Sequence, residues 1–353
     1  LIQDCILKLV ERRSLLSEEA QGAMEEIMAG HATEVQIATF LTALRMKGET
    51  PDEIAALATA MKAVCHRIHP QVHGRLVDTC GTGGDRIKTF NISTTAAFIV
   101  AGAGIAVAKH GNRSFTSKSG SADMLEWLGF DLMVDPETVK QTIEDIGIGF
   151  MFAPVFHPAM KYAAAPRRAM GIRTVFNVLG PLSNPADADS QLLGVYAPEL
   201  VTPLAHALRR LGCREAMVVY GLDGLDELST LGRTLVAWLR NDAVQTVEMT
   251  PRDFGLPQAH LAALQGATPQ ENAAIAFHIL TGRTGPADPK RDIVLLNAAA
   301  GIIVGGKADG FAEGLNLARE SIDSGRAYTR LKRLVAASHG DPSRLERLES
   351  IDG

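Results

Sequence analysis

Leu76-Val77-Asp78-Thr79-Cys80-Gly81-Thr82-Gly83-Gly84-Asp85 passes from a short apolar run into a cluster of glycines, and Asn91-Ile92-Ser93-Thr94-Thr95 then leads into an apolar run from Ala96 to Ala103. A strand, a glycine-rich loop and a helix follow one another here. The pattern recurs after Ile105-Ala106-Val107-Ala108, Ile148-Gly149-Phe150-Met151-Phe152, Leu192-Leu193-Gly194-Val195-Tyr196 and Ala216-Met217-Val218-Val219-Tyr220. Strands that alternate with helical segments predict an α/β architecture, a mostly parallel β-sheet flanked by helices. Ligands of such sheets sit beyond the carboxyl ends of the strands. The loops after these strands are therefore where chemistry is expected.

The first seventy or so residues read differently. Thr33-Glu34-Val35-Gln36 and Thr50-Pro51-Asp52-Glu53 both fit a capping box, the second with Pro at the first helical position. Ile54, Leu57, Ala58, Met61, Cys65 and Ile68 follow at three- and four-residue steps, one apolar stripe of a helix. His66, His69 and His73, with Pro70 between them, do not share one helical face and read as a solvated connector. The expected organisation is a small N-terminal α-helical domain, 1–73, and a larger α/β domain, 74–353.

Composition narrows the function. The chain has 353 residues, 46% hydrophobic and 21% charged, the balance of an ordinary globular protein able to bury a core. Lys and Arg number 35 against 40 Asp and Glu, a formal charge of −5, which speaks against a nucleic-acid binder built on clustered cations. Cys5, Cys65, Cys80 and Cys213 are far apart, so neither a zinc site nor a disulfide framework is expected, and a cytoplasmic location is. No apolar run reaches the roughly 18 residues of a membrane span. Gly301 to Lys307 has the spacing of a Walker loop, but Ala308 stands where the metal-binding hydroxyl belongs.

Three loops carry phosphate-binding chemistry. In Thr79–Asp85 glycines let the backbone approach a ligand and aim N–H groups at an anion, and the helix start at Asn91–Thr95 adds unpaired amides. Lys109-His110-Gly111-Asn112-Arg113-Ser114-Phe115-Thr116-Ser117-Lys118-Ser119-Gly120-Ser121-Ala122-Asp123 gathers cations, glycines and hydroxyls ahead of a helix containing Met124, Leu125 and Leu128. Gly221-Leu222-Asp223-Gly224-Leu225-Asp226-Glu227-Leu228-Ser229 places two adjacent carboxylates after a strand, and Mg²⁺ is the natural ion to neutralise them. Arg167, Arg168 and Arg173 lie in a fourth segment, where an arginine either grips a carboxylate or simply covers a helix surface. Together these features suggest transfer from a phosphorylated sugar to an acidic acceptor.

Gly81-Thr82-Gly83-Gly84-Asp85, Asn91-Ile92-Ser93-Thr94, Lys109-His110-Gly111-Asn112-Arg113, Ser119-Gly120-Ser121-Ala122-Asp123, Gly171-Ile172-Arg173-Thr174, Leu179-Gly180-Pro181-Leu182 and Asp223–Glu227, in this order, closely resemble the anthranilate phosphoribosyltransferase family. The resemblance extends to Ile293–Ala299, nearly the whole chain, and the Lys-His-Gly-Asn-Arg string is its most specific part. It implies transfer of the phosphoribosyl group of phosphoribosyl pyrophosphate to the amine of anthranilate, in tryptophan biosynthesis. By resemblance Gly81, Gly84, Asp85, Thr89, Asn91, Ile92, Ser93, Thr94, Lys109, His110, Gly111, Asn112, Arg113, Ser114, Phe115, Thr116, Ser117 and Ser121 line the donor site. Gly81, Asn112 and Arg167 would receive anthranilate, Arg167 through the carboxylate. Ser93, Asp226 and Glu227 would hold Mg²⁺, as two ions, and Lys109, Asp226 and Glu227 would carry the catalysis. The resemblance also implies a segment near 160–187 that returns to the helical domain, and a homodimer joined through that domain.

Two departures stand out. Pro166 precedes Arg167 directly where the family has Pro-Val, which restricts the backbone beside the anthranilate arginine, and Tyr220 occupies a position where histidine is frequent. The expected mechanism follows from charge: Lys109, the loop amides and the ion held by Asp226 and Glu227 stabilise the departing pyrophosphate. The anthranilate amine is neutral at pH 7 and needs positioning more than deprotonation. His110 reads equally as a base or as a histidine that orders its loop. Two rival functions share the architecture: a pyrimidine nucleoside phosphorylase, and a non-catalytic nucleic-acid-binding paralogue.

Overall fold

The structure is a computed structural model, which describes residues 1–84, 87–114 and 119–351. Seven strands form one sheet in the order β3-β2-β1-β4-β5-β6-β7. The first five, β1 (Leu76–Gly81), β2 (Ala106–Gly111), β3 (Ile148–Phe152), β4 (Ser190–Gly194) and β5 (Glu215–Gly221), are parallel and coincide with the five expected runs. β6 (Thr234–Arg240) and β7 (Ala243–Met249) extend the sheet antiparallel and were not among the expected strands. They are joined by Asn241 and Asp242, both at positive φ (52° and 59°), the geometry of a tight hairpin.

The two faces of the sheet bury different partners. One face carries Val77, Val107 and Met217 against the almost wholly buried helices Ile92–Gly102 and Pro289–Val304. The other carries Cys80, Leu193, Val218 and Ala237 against Val201–Arg210 and a cluster of N-terminal helices. Those helices are Ile2–Val10, Ser17–Met28, Glu34–Lys47 and Pro51–Ala63, and Lys161–Met170 and Phe176–Leu182 pack onto them from later in the chain.

Both capping boxes form, with Thr33 Oγ1 accepting from Gln36 N and Thr50 Oγ1 from Glu53 N, each at 3.2 Å. Glu53 does more than cap. Its buried carboxylate also takes the Leu15 amide at 2.8 Å and Lys47 Nζ at 2.7 Å, clasping two helices and the loop before Ser17–Met28 together. The expected apolar stripe is shorter than its spacing suggests. The helix stops at Ala63, and Ile68 is buried instead in the sheet core, while His66, His69 and His73 are exposed in the connector.

Four neighbouring strands, β1, β2, β4 and β5, end in glycine at Gly81, Gly111, Gly194 and Gly221. At two of these a close approach explains the residue. A Cβ on Gly81 would strike the Asp226 carboxylate, and one on Gly194, its partner in register, would overlap the Asp226 carbonyl. The acidic loop thus lies directly across the strand ends.

Candidate active site

The helix after the first glycine loop begins at Ile92, earlier than the apolar run suggests, with Asn91 as its N-cap residue. Asn91 does not cap it. Its side chain donates to the Ser119 carbonyl at 3.2 Å and accepts from Ser119 Oγ at 3.0 Å and Asn272 Nδ2 at 3.1 Å. Ser93 and Thr94 therefore sit inside the first turn, where amides lack an intrahelical acceptor. Open amides at the positive end of a helix are a ready anion site.

Lys109 stands on β2 beside that turn. It is almost fully buried, donates to the Thr79 carbonyl, and lies 3.5 Å from Ser93 Oγ. Beneath it is a group that motif reading passed over, Asp78. The Asp78 carboxylate is wholly buried and accepts from Asn184 Nδ2 at 2.9 Å and from the His110 amide at 3.4 Å. Burial pushes its pKa up to about 6, and the nearby Lys109 charge opposes the rise. The available signal was a carboxylate inside an otherwise apolar strand, with Asn184 106 residues away to hold it.

His110 takes part by its backbone and not as an exposed base. Its Nδ1 donates to the Gly180 carbonyl at 3.2 Å, and its ring lies 4.9 Å from that of His157. The Nε2 atoms of both rings are buried without a protein partner. Burial lowers both pKa values from the ordinary 6.5, and the mutual repulsion of the pair adds to the effect on His110. Both rings are neutral in the folded chain, whereas an unfolded chain takes up protons near pH 6.5. The stability they confer is present above that pH and is lost as pH falls below it. Thermal melting between pH 7.5 and 5 should show a steeper acid decline in wild type than in His157→Gln; equal slopes would exclude the pair as the source.

The second loop is drawn together at its neck by Asp123, which accepts from the amides of Ser114 at 3.0 Å and Gly120 at 2.8 Å. Ser121 Oγ donates to the Asn112 carbonyl at 3.3 Å, close to Gly111. Arg113 is in the loop, but its guanidinium is committed to Glu126 through two bonds of 2.9 Å and to Asp123 at 3.0 Å. Its side chain is therefore less open to a phosphate than its position in the motif suggests. Thr89 is tied by its backbone to Gln265. Asp85, Phe115, Thr116 and Ser117 lie outside the described residues.

Across the strand ends, Asp226 Oδ2 accepts from the Gly83 amide at 3.1 Å. Burial raises the pKa of this carboxylate, against the Gly83 N–H and the charge of Lys88. Glu227, next to it, is buried, and Asp226 is half-buried. Asn297 pins their loop by accepting from the Leu228 amide and donating to the Leu228 carbonyl, each at 3.0 Å. Asp223 instead serves the turn itself, accepting from Ser229 Oγ at 2.6 Å. Two neighbouring carboxylates, one buried and one half-buried, beside a phosphate loop fit Mg²⁺, which takes one or two carboxylates together with phosphate oxygens and waters. Ser93 Oγ, the third expected ligand, faces Lys109.

Arg167 lies apart from these loops, in the helix Lys161–Met170, which continues through Pro166. Its guanidinium is stacked 4.9 Å from the Phe176 ring centroid and, among the described residues, makes no ion pair. Desolvation lowers its pKa. A half-buried cation on an aromatic face, without a carboxylate of its own, is suited to a carboxylate that arrives with a ligand.

Open amides, a buried lysine and a pair of carboxylates gathered at the ends of parallel strands define a transferase site for a phosphorylated sugar. Residues 73–328 match the model of the glycosyl transferase family, a/b domain, and residues 3–65 that of the same family's helical bundle domain. The anthranilate phosphoribosyltransferase of Moorella thermoacetica is 54% identical over 333 residues, 94% of this chain and 96% of that protein. The crystal structure of the Thermus thermophilus anthranilate phosphoribosyltransferase superposes with a TM-score of 0.90 at 46% identity, covering 95% of this chain and 99% of that one. The Saccharomyces cerevisiae enzyme in complex with phosphoribosyl pyrophosphate and Mg gives 0.87 at 31% identity, covering 96% and 98%. A further structure of the yeast enzyme holds 4-fluoroanthranilate, with a TM-score of 0.85 at 30% identity over 96% and 98% of the two chains. The chain belongs to the anthranilate phosphoribosyltransferase family, within the glycosyl transferases of this fold.

Proposed function

We propose that the chain transfers the phosphoribosyl group of phosphoribosyl pyrophosphate to the amine of anthranilate, giving N-(5-phosphoribosyl)anthranilate and pyrophosphate in tryptophan biosynthesis. The observation that carries this reading is the pairing of the open helix start and Lys109 with the Asp226–Glu227 loop across the strand ends, in a chain 54% identical to a named enzyme of that activity. Anthranilate fluorescence tests it. Fluorescence should fall only when phosphoribosyl pyrophosphate and Mg²⁺ are both present, and uridine with phosphate should remain uncleaved. Uridine phosphorolysis with unchanged anthranilate would favour the nucleoside phosphorylase instead.

In the proposed reaction the amides of Ser93 and Thr94 and the glycine loop hold phosphate oxygens, and Lys109 meets charge that builds on the departing pyrophosphate. Mg²⁺, held by Asp226 and Glu227 and counted as two ions with Ser93 a further ligand, supplies electrostatic stabilisation of the same charge when bound. Arg167 aligns the anthranilate carboxylate, so that the neutral amine faces the sugar carbon. Asp226→Asn removes one of the two adjacent charges while keeping an oxygen for the Gly83 amide. It should raise the Mg²⁺ concentration for half-maximal rate by about tenfold, the worth of one charged interaction. An unchanged Mg²⁺ titration would remove Asp226 from the metal site.

The same reading takes residues 1–73, with the return near 160–187, as the helical domain and as the homodimer contact. Leu7, Val10, Val35 and Met46 support it, since they leave an apolar surface exposed on Ile2–Val10 and Glu34–Lys47. No helix among the described residues is long and apolar enough to cross a membrane. The four free cysteines favour a reducing compartment such as the cytoplasm.

A further inference from the structure

Arg173 has no part in the site as drawn so far, yet it reaches into it. It lies in the short link between Lys161–Met170 and Phe176–Leu182, and its Nη2 donates to the carbonyl of Gly84, 89 residues earlier. The guanidinium carbon sits 4.3 Å from the ring centroid of Tyr196, a nearly buried residue just beyond the end of β4. Gly84 has φ +77°, and a Cβ there would come 2.9 Å from Arg173 Nη2. The glycine is thus required twice, by its backbone angle and by the arginine laid against it. Among the described residues Arg173 forms no ion pair.

We infer that Arg173 is a positioning residue for the phosphoribosyl pyrophosphate loop: stacked on Tyr196, it fixes the Gly84 carbonyl and ties the donor loop to the segment that carries Arg167. The loop is held from two sides. Asp226 takes the amide of Gly83, and Arg173 takes the carbonyl of Gly84. A run of glycines has more conformational freedom to lose on binding than any other sequence, and a loop fixed beforehand loses less. The residue type also fits. A planar guanidinium stacks on a ring and donates in its own plane at once, and a lysine ammonium does not. The inference rests on the reading that this loop holds the donor.

Calorimetric titration of phosphoribosyl pyrophosphate with Mg²⁺ into wild type, Arg173→Ala, Arg173→Lys and Tyr196→Leu tests it, with melting temperatures measured alongside. Arg173→Ala should weaken donor binding by about tenfold, the loss of one charge-assisted bond partly open to water. Arg173→Lys should bind nearly as weakly as the alanine variant, and Tyr196→Leu should fall between them. A double Arg173→Ala/Tyr196→Leu variant should be no weaker than Arg173→Ala alone, because the two side chains act as one unit. Donor binding by Arg173→Ala equal to wild type would overturn the inference. So would full affinity in Arg173→Lys, since charge alone would then suffice. If Arg173→Ala loses melting temperature as well as affinity, the lysine variant at unchanged melting temperature decides. A wild-type protein that binds no donor would instead refute the proposed function.

Discussion

Lys109→Met is expected to lower kcat by about 10²–10³-fold, the usual cost of removing one preorganised electrostatic group from a developing anion. Lys109 is almost fully buried, so its charge acts with little screening by water, and methionine fills nearly the same space. The substitution also strips the cation from beside Asp78, whose carboxylate is already pushed up to about 6 by burial. Asp78 should then become protonated near neutral pH, and the variant should melt at a lower temperature than wild type. Adding Asp78→Asn separates the two effects. The double variant should recover stability, because no buried carboxyl then has to be neutralised by taking up a proton, and should not recover turnover. Steady-state rates within about threefold of wild type would show that Lys109 does not face the leaving group.

Arg167→Ala should raise the KM for anthranilate by about ten- to a hundredfold, equivalent to roughly 1.5–3 kcal/mol for a bond to a charged group. The KM for phosphoribosyl pyrophosphate should stay within about twofold, because among the described residues the contact of the Arg167 guanidinium is with Phe176 and not with a phosphate loop. Arg167→Lys should not restore affinity. The guanidinium is aimed by its stack on Phe176, and an ammonium has neither the planar face nor the fork that matches a carboxylate. An unchanged anthranilate KM would take Arg167 out of the acceptor site, and an equal loss for both substrates would make its role structural.

The parallel part of the sheet was legible because each buried strand is a short apolar run, four of the five ending in glycine. The glycine loop, the Lys109 loop and the Asp226–Glu227 pair were legible because their chemistry is contiguous in sequence. What escaped is formed by residues far apart in the chain. Asn184 bonds the Asp78 carboxylate across 106 residues, and Arg173 bonds Gly84 across 89. Nothing local marks either partner. The β6–β7 hairpin did carry a signal, Asn241-Asp242 between two runs that contain β-branched residues, but it lies outside the strand–loop–helix rhythm that organised the reading. The helix start at Asn91 lacks a side-chain cap for a physical reason that the sequence does not show. The residue best suited to cap it turns its side chain to Ser119 and Asn272, which leaves the amides of Ser93 and Thr94 open. Arg113 shows the opposite failure, a motif arginine whose fork is already taken by Glu126 and Asp123.

The most direct test of the account is a crystal structure of the protein with phosphoribosyl pyrophosphate and Mg²⁺. The donor should lie across the ends of β1 and β2, its phosphates on the amides of Ser93 and Thr94 and on the glycine loop, within reach of Lys109 and Ser121, with the ion on Asp226 and Glu227. A donor bound away from Lys109 and Ser121, or a divalent ion held without either carboxylate, would contradict it.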